Sequence, residues 1–448
     1  MSIKAAFNNF LHIQPEDHVP VQVANNFKHN VYVNTFDLMF FTFGDCFVSI
    51  NTIMPVFAAN LTDSPLLIGL IPAIVNFGWF LPQLFLSGHV SRLKRKLPFA
   101  RKMAVIERIP YLLMPLMALL VPHVSKNTAL IMLFIVMTLR GLASGMVALP
   151  WQEVLASVIP LSHRARFFGV SRVMAQIVGV LGSLVATLVL SKLPYPYNYA
   201  LGFAIAVVAQ WISFAFYSRN KEPEPEPEPE PDVIQREEPS KRIIDFNLVG
   251  SILKRDTNLR YYLAGRSTIF IGNMASGFLA IYGIQHFNLT DAQAAIFTGL
   301  LFLSGILGYS VGGALGDKVG PKRIVVLSVL TWSLGLIVAI FSPVIWVYYI
   351  VFLLYGLYTA GMNMGDSILV MELGQEELRP TYLGMARSLT AVFVLMAPVL
   401  AGWLVEAYGY KVMFAVSVVL SLIGAGLMNK VRDVPRRSRV KEPEEETL

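Results

Sequence analysis

Long apolar stretches alternate with short polar connections along the whole chain. A membrane-spanning helix needs about 20 mainly apolar residues. Twelve stretches meet that need: 32–58, 66–87, 103–122, 128–151, 166–191, 197–217, 261–285, 292–314, 323–342, 345–371, 380–405 and 410–430. Between the sixth and seventh lies a polar segment, 219–259, in which Glu-Pro repeats from Glu222 to Pro231. Proline at alternate positions forbids helix and the glutamates repel one another, so this piece is expected to be an extended spacer that packs on nothing. The pattern predicts an all-α membrane protein of 12 transmembrane helices in two six-helix bundles. The expected divisions are a tail (1–30), a first bundle (31–218), the Glu-Pro-rich linker (219–259), a second bundle (260–430) and a tail of mixed charge (431–448).

The two halves repeat one another. Asn60-Leu61-Thr62-Asp63 recurs as Asn288-Leu289-Thr290-Asp291, each between the first and second stretch of its half. Arg164, Gly169 and Arg172 share the spacing of Arg379, Gly384 and Arg387, each set opening a fifth stretch. Two six-helix units in one orientation imply a two-fold axis along the membrane normal and a site between the halves.

Charge orients the chain. Arg92, Lys94, Arg95, Lys96, Arg101 and Lys102 crowd one connection, whereas the next carries only Lys126. Arg164 and Arg166, then Lys318, Lys322 and Arg323, then Arg432, Arg436, Arg437 and Arg439 fall on the same side. The positive-inside rule assigns both termini and the linker to the cytoplasm, as expected for a multi-pass protein of the plasma membrane.

Composition agrees: 55% of residues are hydrophobic and 15% charged, with a net charge of +7. These values argue against a soluble enzyme. Cys46 is the single cysteine, so no internal disulfide forms. No metal-ligand cluster or phosphate-binding loop is readable, so no cofactor, ATP-driven step or nucleic-acid partner is expected.

The segment Gly313-Ala314-Leu315-Gly316-Asp317-Lys318-Val319-Gly320-Pro321-Lys322-Arg323 resembles the loop signature of the major facilitator superfamily. Together with the twelve stretches and the central linker, the resemblance covers nearly the whole chain. It implies a secondary transporter working by alternating access, with Gly313, Asp317, Gly320, Lys322 and Arg323 as a gating motif. Asp317 is expected either to latch helices or to move as a gate. In the first half the pattern departs: His89 stands in place of Asp317 and Arg92 in place of Gly320. The resemblance also implies that spans one, four, seven and ten line a central cavity.

Charges inside a bilayer are costly, so they mark function or pairing. Asp45 lies near the middle of the first stretch, on a stripe with Thr42, Ser49 and Thr52; Arg140 lies near the middle of the fourth. The two are expected to meet, either as a static ion pair or as a site for substrate or proton. In the second half, Arg266 and Asn273 share a helix face, and Tyr355, Thr359, Asn363 and Asp366 follow one another at helical spacing. By the repeat, Asn273 corresponds to Asp45. Arg172 and Arg387 are expected to be structural or gating charges, pairing with acids such as Glu153 or Asp366. Asp37, Glu107 and Arg108 fall near stretch ends, where long side chains reach water. Trp79, Trp151, Tyr282 and Tyr355 are candidates to line the cavity.

The reading that results is a monomeric carrier for a small organic, amphipathic solute, driven by protons and exporting its cargo. Proton-coupled uptake of a nutrient and a non-transporting sensor of the same fold are the alternatives.

Overall fold

The computed structural model describes residues 19–224, 246–373 and 379–432. The first half holds α1 (Val21–Asp45), α2 (Ile53–Ala59), α3 (Pro65–Ser91), α4 (Leu97–Leu120), α5 (Lys126–Val158), α6 (Leu161–Lys192) and α7 (Tyr197–Tyr217). A short helix, α8 (Phe246–Arg255), precedes the second half. That half holds α9 (Thr257–Gly272), α10 (Leu279–His286), α11 (Ala292–Val319), α12 (Pro321–Phe341), α13 (Ile345–Leu373), α14 (Arg379–Tyr408) and α15 (Tyr410–Asn429). Among the described residues, eleven helical segments are long and apolar enough to cross a membrane. The twelfth crossing is α1 with α2, whose hydropathy is lowered by Asn25, Asn26, Asn30, Asn34, Asp37 and Asp45.

The first crossing differs from the uninterrupted 32–58 stretch. It begins at Val21, inside the expected tail, and its helix breaks after Asp45 before resuming at Ile53. The stripe of Thr42, Asp45, Ser49 and Thr52 is therefore not one helix face. The seventh crossing breaks at the repeat-equivalent place, where a 3-10 turn, Asn273–Gly277, separates α9 from α10. Broken helices at membrane depth persist where freed backbone groups line a cavity or meet other partners.

Pair packing confirms the internal two-fold. In the first half α1 packs on α6 and α7, α5 on α3 and α4, and α4 on α7. In the second half α9 packs on α14 and α15, α13 on α11 and α12, and α12 on α15, the same set in repeat order. The halves meet through α6 against α11 and α3 against α14. Helices associate in lipid by close packing of small residues. Gly402 supplies one such place, since a Cβ there would stand 2.6 Å from the Leu66 Cα.

At the end opposite the basic connections, side chains tie the halves together. The Thr52 and Thr298 hydroxyls lie 2.5 Å apart. Asp291 Oδ2 accepts from Asn60 Nδ2 at 2.8 Å and from Tyr199 Oη at 2.9 Å.

At the basic end the start of the linker is anchored, contrary to a spacer that packs on nothing. The Glu222 carboxylate accepts from the backbone N–H groups of Lys96 and Leu97, each at 2.9 Å, and so caps α4. An anion at a helix N-terminus is favoured by the free N–H groups and the dipole. Lys221 N donates to Asn30 Oδ1 at 2.9 Å. The far end of the same segment is helical, as α8. The remaining Glu-Pro repeats, from residue 225, lie outside the described residues.

Candidate functional site

Asp45 is the last residue of α1, where the break frees the carbonyls that follow. Arg140, in mid-α5, fills that gap. Its Nη2 donates to Asp45 Oδ1 at 2.6 Å, its Nη1 to the Val48 carbonyl at 2.9 Å, and its Nε to Tyr111 Oη at 3.3 Å. The guanidinium is 7% exposed, whereas the Asp45 side chain is 36% exposed. The acid is therefore partly exposed while its partner is covered. A fork with several fixed donors suits this task.

The second half carries a sealed counterpart. Arg266 on α9 donates to Asp366 Oδ2 on α13 at 2.9 Å, to the Ala386 carbonyl at 2.5 Å and to Thr390 Oγ1 at 2.8 Å. Tyr262 Oη donates to Asp366 Oδ1 at 2.8 Å. Both side chains are nearly covered. Arg266 thus turns toward α13 and α14, away from Asn273.

Asn273, at the break of the seventh crossing, lines a cavity of about 240 Å³ between the halves. Trp79, Phe80 and Phe270 supply aromatic wall, and Asn76 and Ser276 further polar groups. Among the described residues, none that lines it is ionisable. Asn273 Oδ1 is buried and accepts no hydrogen bond. A buried acceptor left open is costly.

Other expected residues fall elsewhere. Tyr355 is buried beside Trp332, ring centres 5.0 Å apart, inside the second half. Asn363 Nδ2 donates to Tyr309 Oη at 3.2 Å. Glu153 pairs with Lys96 at 2.9 Å in place of Arg172, which is exposed, and Asp366 pairs with Arg266. Gly313 and the side chains of Asp317 and Arg387 lie outside what is described, though their helices do not: Asp317 stands in the last turns of α11. Gly320 has φ of +90°, a conformation natural to glycine, and leads directly into α12. Lys322 Nζ donates to the Val431 carbonyl at 3.0 Å, and Arg323 is exposed.

Asp37, Glu107 and Arg108 do not lie near stretch ends. All three are buried. Helix α4 starts at Leu97 and α1 at Val21, so these residues lie well inside. Arg108 Nη1 donates to Glu107 Oε2 at 2.5 Å and Nη2 to Ser213 Oγ at 3.2 Å; Ser213 in turn donates to Asp37 Oδ1 at 2.6 Å. The spacing of Asn30, Asn34 and Asp37 along one face was the readable signal. Of the aromatic candidates, Trp79 lines the cavity, Trp151 Nε1 donates to Asp37 at 3.3 Å, and Tyr282 stacks on His286.

The comparisons with known proteins follow the same lines. A cis,cis-muconate transport protein of Acinetobacter baylyi is 31% identical over 149 residues, 30% of this chain and 32% of that protein. The minor myo-inositol transporter IolF of Bacillus subtilis is 30% identical over 153 residues, 31% of this chain and 33% of its own. The chain thus spans about a third of the length of each of these relatives. Among solved structures, a D-xylose–proton symporter matches with a TM-score of 0.68 at 13% identity, covering 90% of this chain and 97% of the other. A human organic anion transporter matches with a TM-score of 0.61 at 16% identity, covering 92% and 100%. The family model of the Major Facilitator Superfamily matches residues 36–310 and 262–447. The fold, the repeat and this match agree, and the chain belongs to the Major Facilitator Superfamily.

Proposed function

We propose that the protein is a secondary carrier that moves a small organic solute together with a proton by alternating access. The observation that carries this reading is the Asp45–Arg140 pair, whose acid is partly exposed while its base is covered and held by Val48 and Tyr111. Protonating Asp45 releases the Arg140 Nη2 donor for a solute oxygen, so proton and solute favour one another. Mutually favoured binding of proton and solute is a coupling that cotransport requires.

The cavity at Asn273 supports a solute with an apolar ring or chain face and hydroxyl donors. Relatives named for muconate and myo-inositol transport suggest the same range: small, oxygen-rich molecules. Export by proton exchange, the direction expected from composition, is the second reading. It is favoured by the aromatic wall of Trp79, Phe80 and Phe270, which suits an amphipathic cargo. The membrane is taken to be the plasma membrane, with both termini and the linker cytoplasmic and the monomer as the working unit.

The test uses the full chain in sealed vesicles with an imposed pH gradient and a panel of polyols, pentoses, small carboxylic acids and amphipathic amines. Cotransport gives accumulation on the side toward which protons run. Exchange gives accumulation on the opposite side. No flux of any solute in either direction would overturn the carrier reading.

A further inference from the structure

The first bundle gathers five ionisable side chains in one connected group, four of them buried and Asp45 partly exposed. Asp45 is the last residue of α1, and Asp37 lies eight residues earlier, about 12 Å toward the basic end. Glu107 and Arg108 come from α4 and Arg140 from α5. Three carboxyls thus face two guanidiniums, and a guanidinium does not give up its charge.

Each guanidinium is already engaged. Arg140 holds Asp45 at 2.6 Å, and Arg108 holds Glu107 at 2.5 Å. Asp37 is left over. Among the described residues no cation lies within ion-pair distance of it. Its partners are neutral donors: Ser213 Oγ at 2.6 Å on Oδ1 and Trp151 Nε1 at a long 3.3 Å on Oδ2. The groups around it are Arg108 and Glu107 from α4, Trp151 from α5, and Ser213 and Tyr217 from α7. From α6 comes Ser171, whose hydroxyl meets that of Thr35 at 2.8 Å. The Tyr217 hydroxyl is itself buried without a partner.

A carboxylate with no counter-ion is poorly tolerated away from water. With both guanidiniums paired to other acids, the group is electrically balanced when one carboxyl holds a proton, and Asp37 is the carboxyl that no cation touches, Arg108 acting on it only from beyond ion-pair distance. We propose that Asp37 is a second proton site, and that a proton arriving at Asp45 displaces the one at Asp37. The inference rests on the reading of Asp45 as the proton-linked acid. In this step an oxygen of Asp45 binds one proton from the water that reaches its exposed side and Asp37 releases one to water at the basic end, so the group keeps a single proton and stays neutral throughout. The route between them is electrostatic and runs through named contacts. Arg140 faces Glu107, Glu107 pairs with Arg108, and Arg108 Nη2 reaches Ser213, which donates to Asp37. Release of Asp37 lies nearer the basic end, so charge moves along the first bundle while the solute uses the space between the bundles.

The test is infrared difference spectroscopy of the full-length protein in lipid vesicles, following the protonated-carboxyl band over a pH titration. Wild type is expected to show one such band at neutral pH. Asp37→Asn is expected to remove it. Asp37→Glu is expected to keep it but move its frequency, whereas Asp45→Glu and Glu107→Asp leave the frequency in place. Asp45→Asn imitates the protonated acid and is expected to abolish the band by discharging Asp37. The absence of a band in wild type, or a frequency that follows Asp45 or Glu107, would overturn the assignment. A band that survives Asp45→Asn would overturn the displacement. If Asp37→Asn does not reach the membrane, Trp151→Phe serves: it removes a donor to Asp37 and is expected to move the pH at which the band is lost. An unmoved titration counts against the site. The Asp45 reading fails separately, by wild-type proton-driven flux in Asp45→Asn, while the Asp37→Glu frequency still reports on Asp37.

Discussion

At the scale of single residues, chemistry concentrates where each half's first helix is broken. Asp45 and Asn273 occupy equivalent places in the repeat and do different work. Asp45 meets a cation, whereas Asn273 Oδ1 meets nothing. Asn273→Leu is therefore expected to separate stability from function. Removing a buried unsatisfied acceptor leaves thermal stability unchanged or raised. Losing one neutral hydrogen bond to the solute weakens binding by about 0.5–1.5 kcal/mol, or roughly twofold to tenfold. Melting curves together with KM for the transported solute check both halves of this expectation. Asp45→Asn keeps the shape but cannot titrate, and is expected to abolish gradient-driven flux while solute binding persists. Arg140→Lys is expected to lose flux too, because an ammonium cannot serve Asp45, Val48 and Tyr111 from one plane. Vesicle flux and solute binding measured side by side decide both variants.

At the scale of elements, the start of the linker is anchored. Glu222 caps α4, so Glu222→Gln is expected to destabilise the protein by about 1 kcal/mol, as the loss of a charged cap does. Replacing 225–231 by an equal length of Gly and Ser is expected to leave folding intact, since loop length and composition carry little free energy. Membrane expression and thermal stability of the two variants are the measurements. The boundaries of the elements also explain what the sequence made legible. The helices with continuous apolar runs, such as 410–430, are found as expected, because lipid and core both favour apolar side chains there. Asp37, Glu107 and Arg108 were hidden by the same logic. A hydropathy pattern starts a helix where polar residues stop, yet α1 and α4 begin earlier because their polar faces are turned inward and satisfied. The Asp45–Arg140 pair was legible because charge at mid-span needs a partner. The pairing of Asp366 with Arg266 was not, because helix rotation, not depth, decides which arginine an acid meets.

At the scale of the whole molecule, the state of the carrier is set by which end the halves close. They are tied at the end opposite the basic connections, and Asp291 is the centre of that tie. Its carboxylate accepts two donors from the other half, Asn60 and Tyr199, at a place where the repeat supplies Asn60-Leu61-Thr62-Asp63 and Asn288-Leu289-Thr290-Asp291. Tyr195 lies beside the same carboxylate; burial first, and Asp291 second, push its hydroxyl up to about 12. It therefore stays neutral at physiological pH and does not repel the acid. Asp291→Asn keeps the size of the side chain and an oxygen but removes the charge that strengthens both hydrogen bonds. Bonds to charged acceptors contribute about 1.5–3 kcal/mol and neutral ones about 0.5–1.5. The closed end is then expected to lose about 1–2 kcal/mol, shifting the balance between states by about 5–30-fold toward opening. A cysteine placed by Thr52→Cys, with Cys46→Ser to remove the native thiol, sits in the contact with Thr298 that opening must break. Labelling of that cysteine by an impermeant maleimide from the side opposite the basic connections is expected to quicken by the same factor in Asp291→Asn. Equal labelling rates with and without the substitution would show that the Asp291 tie does not hold this end shut.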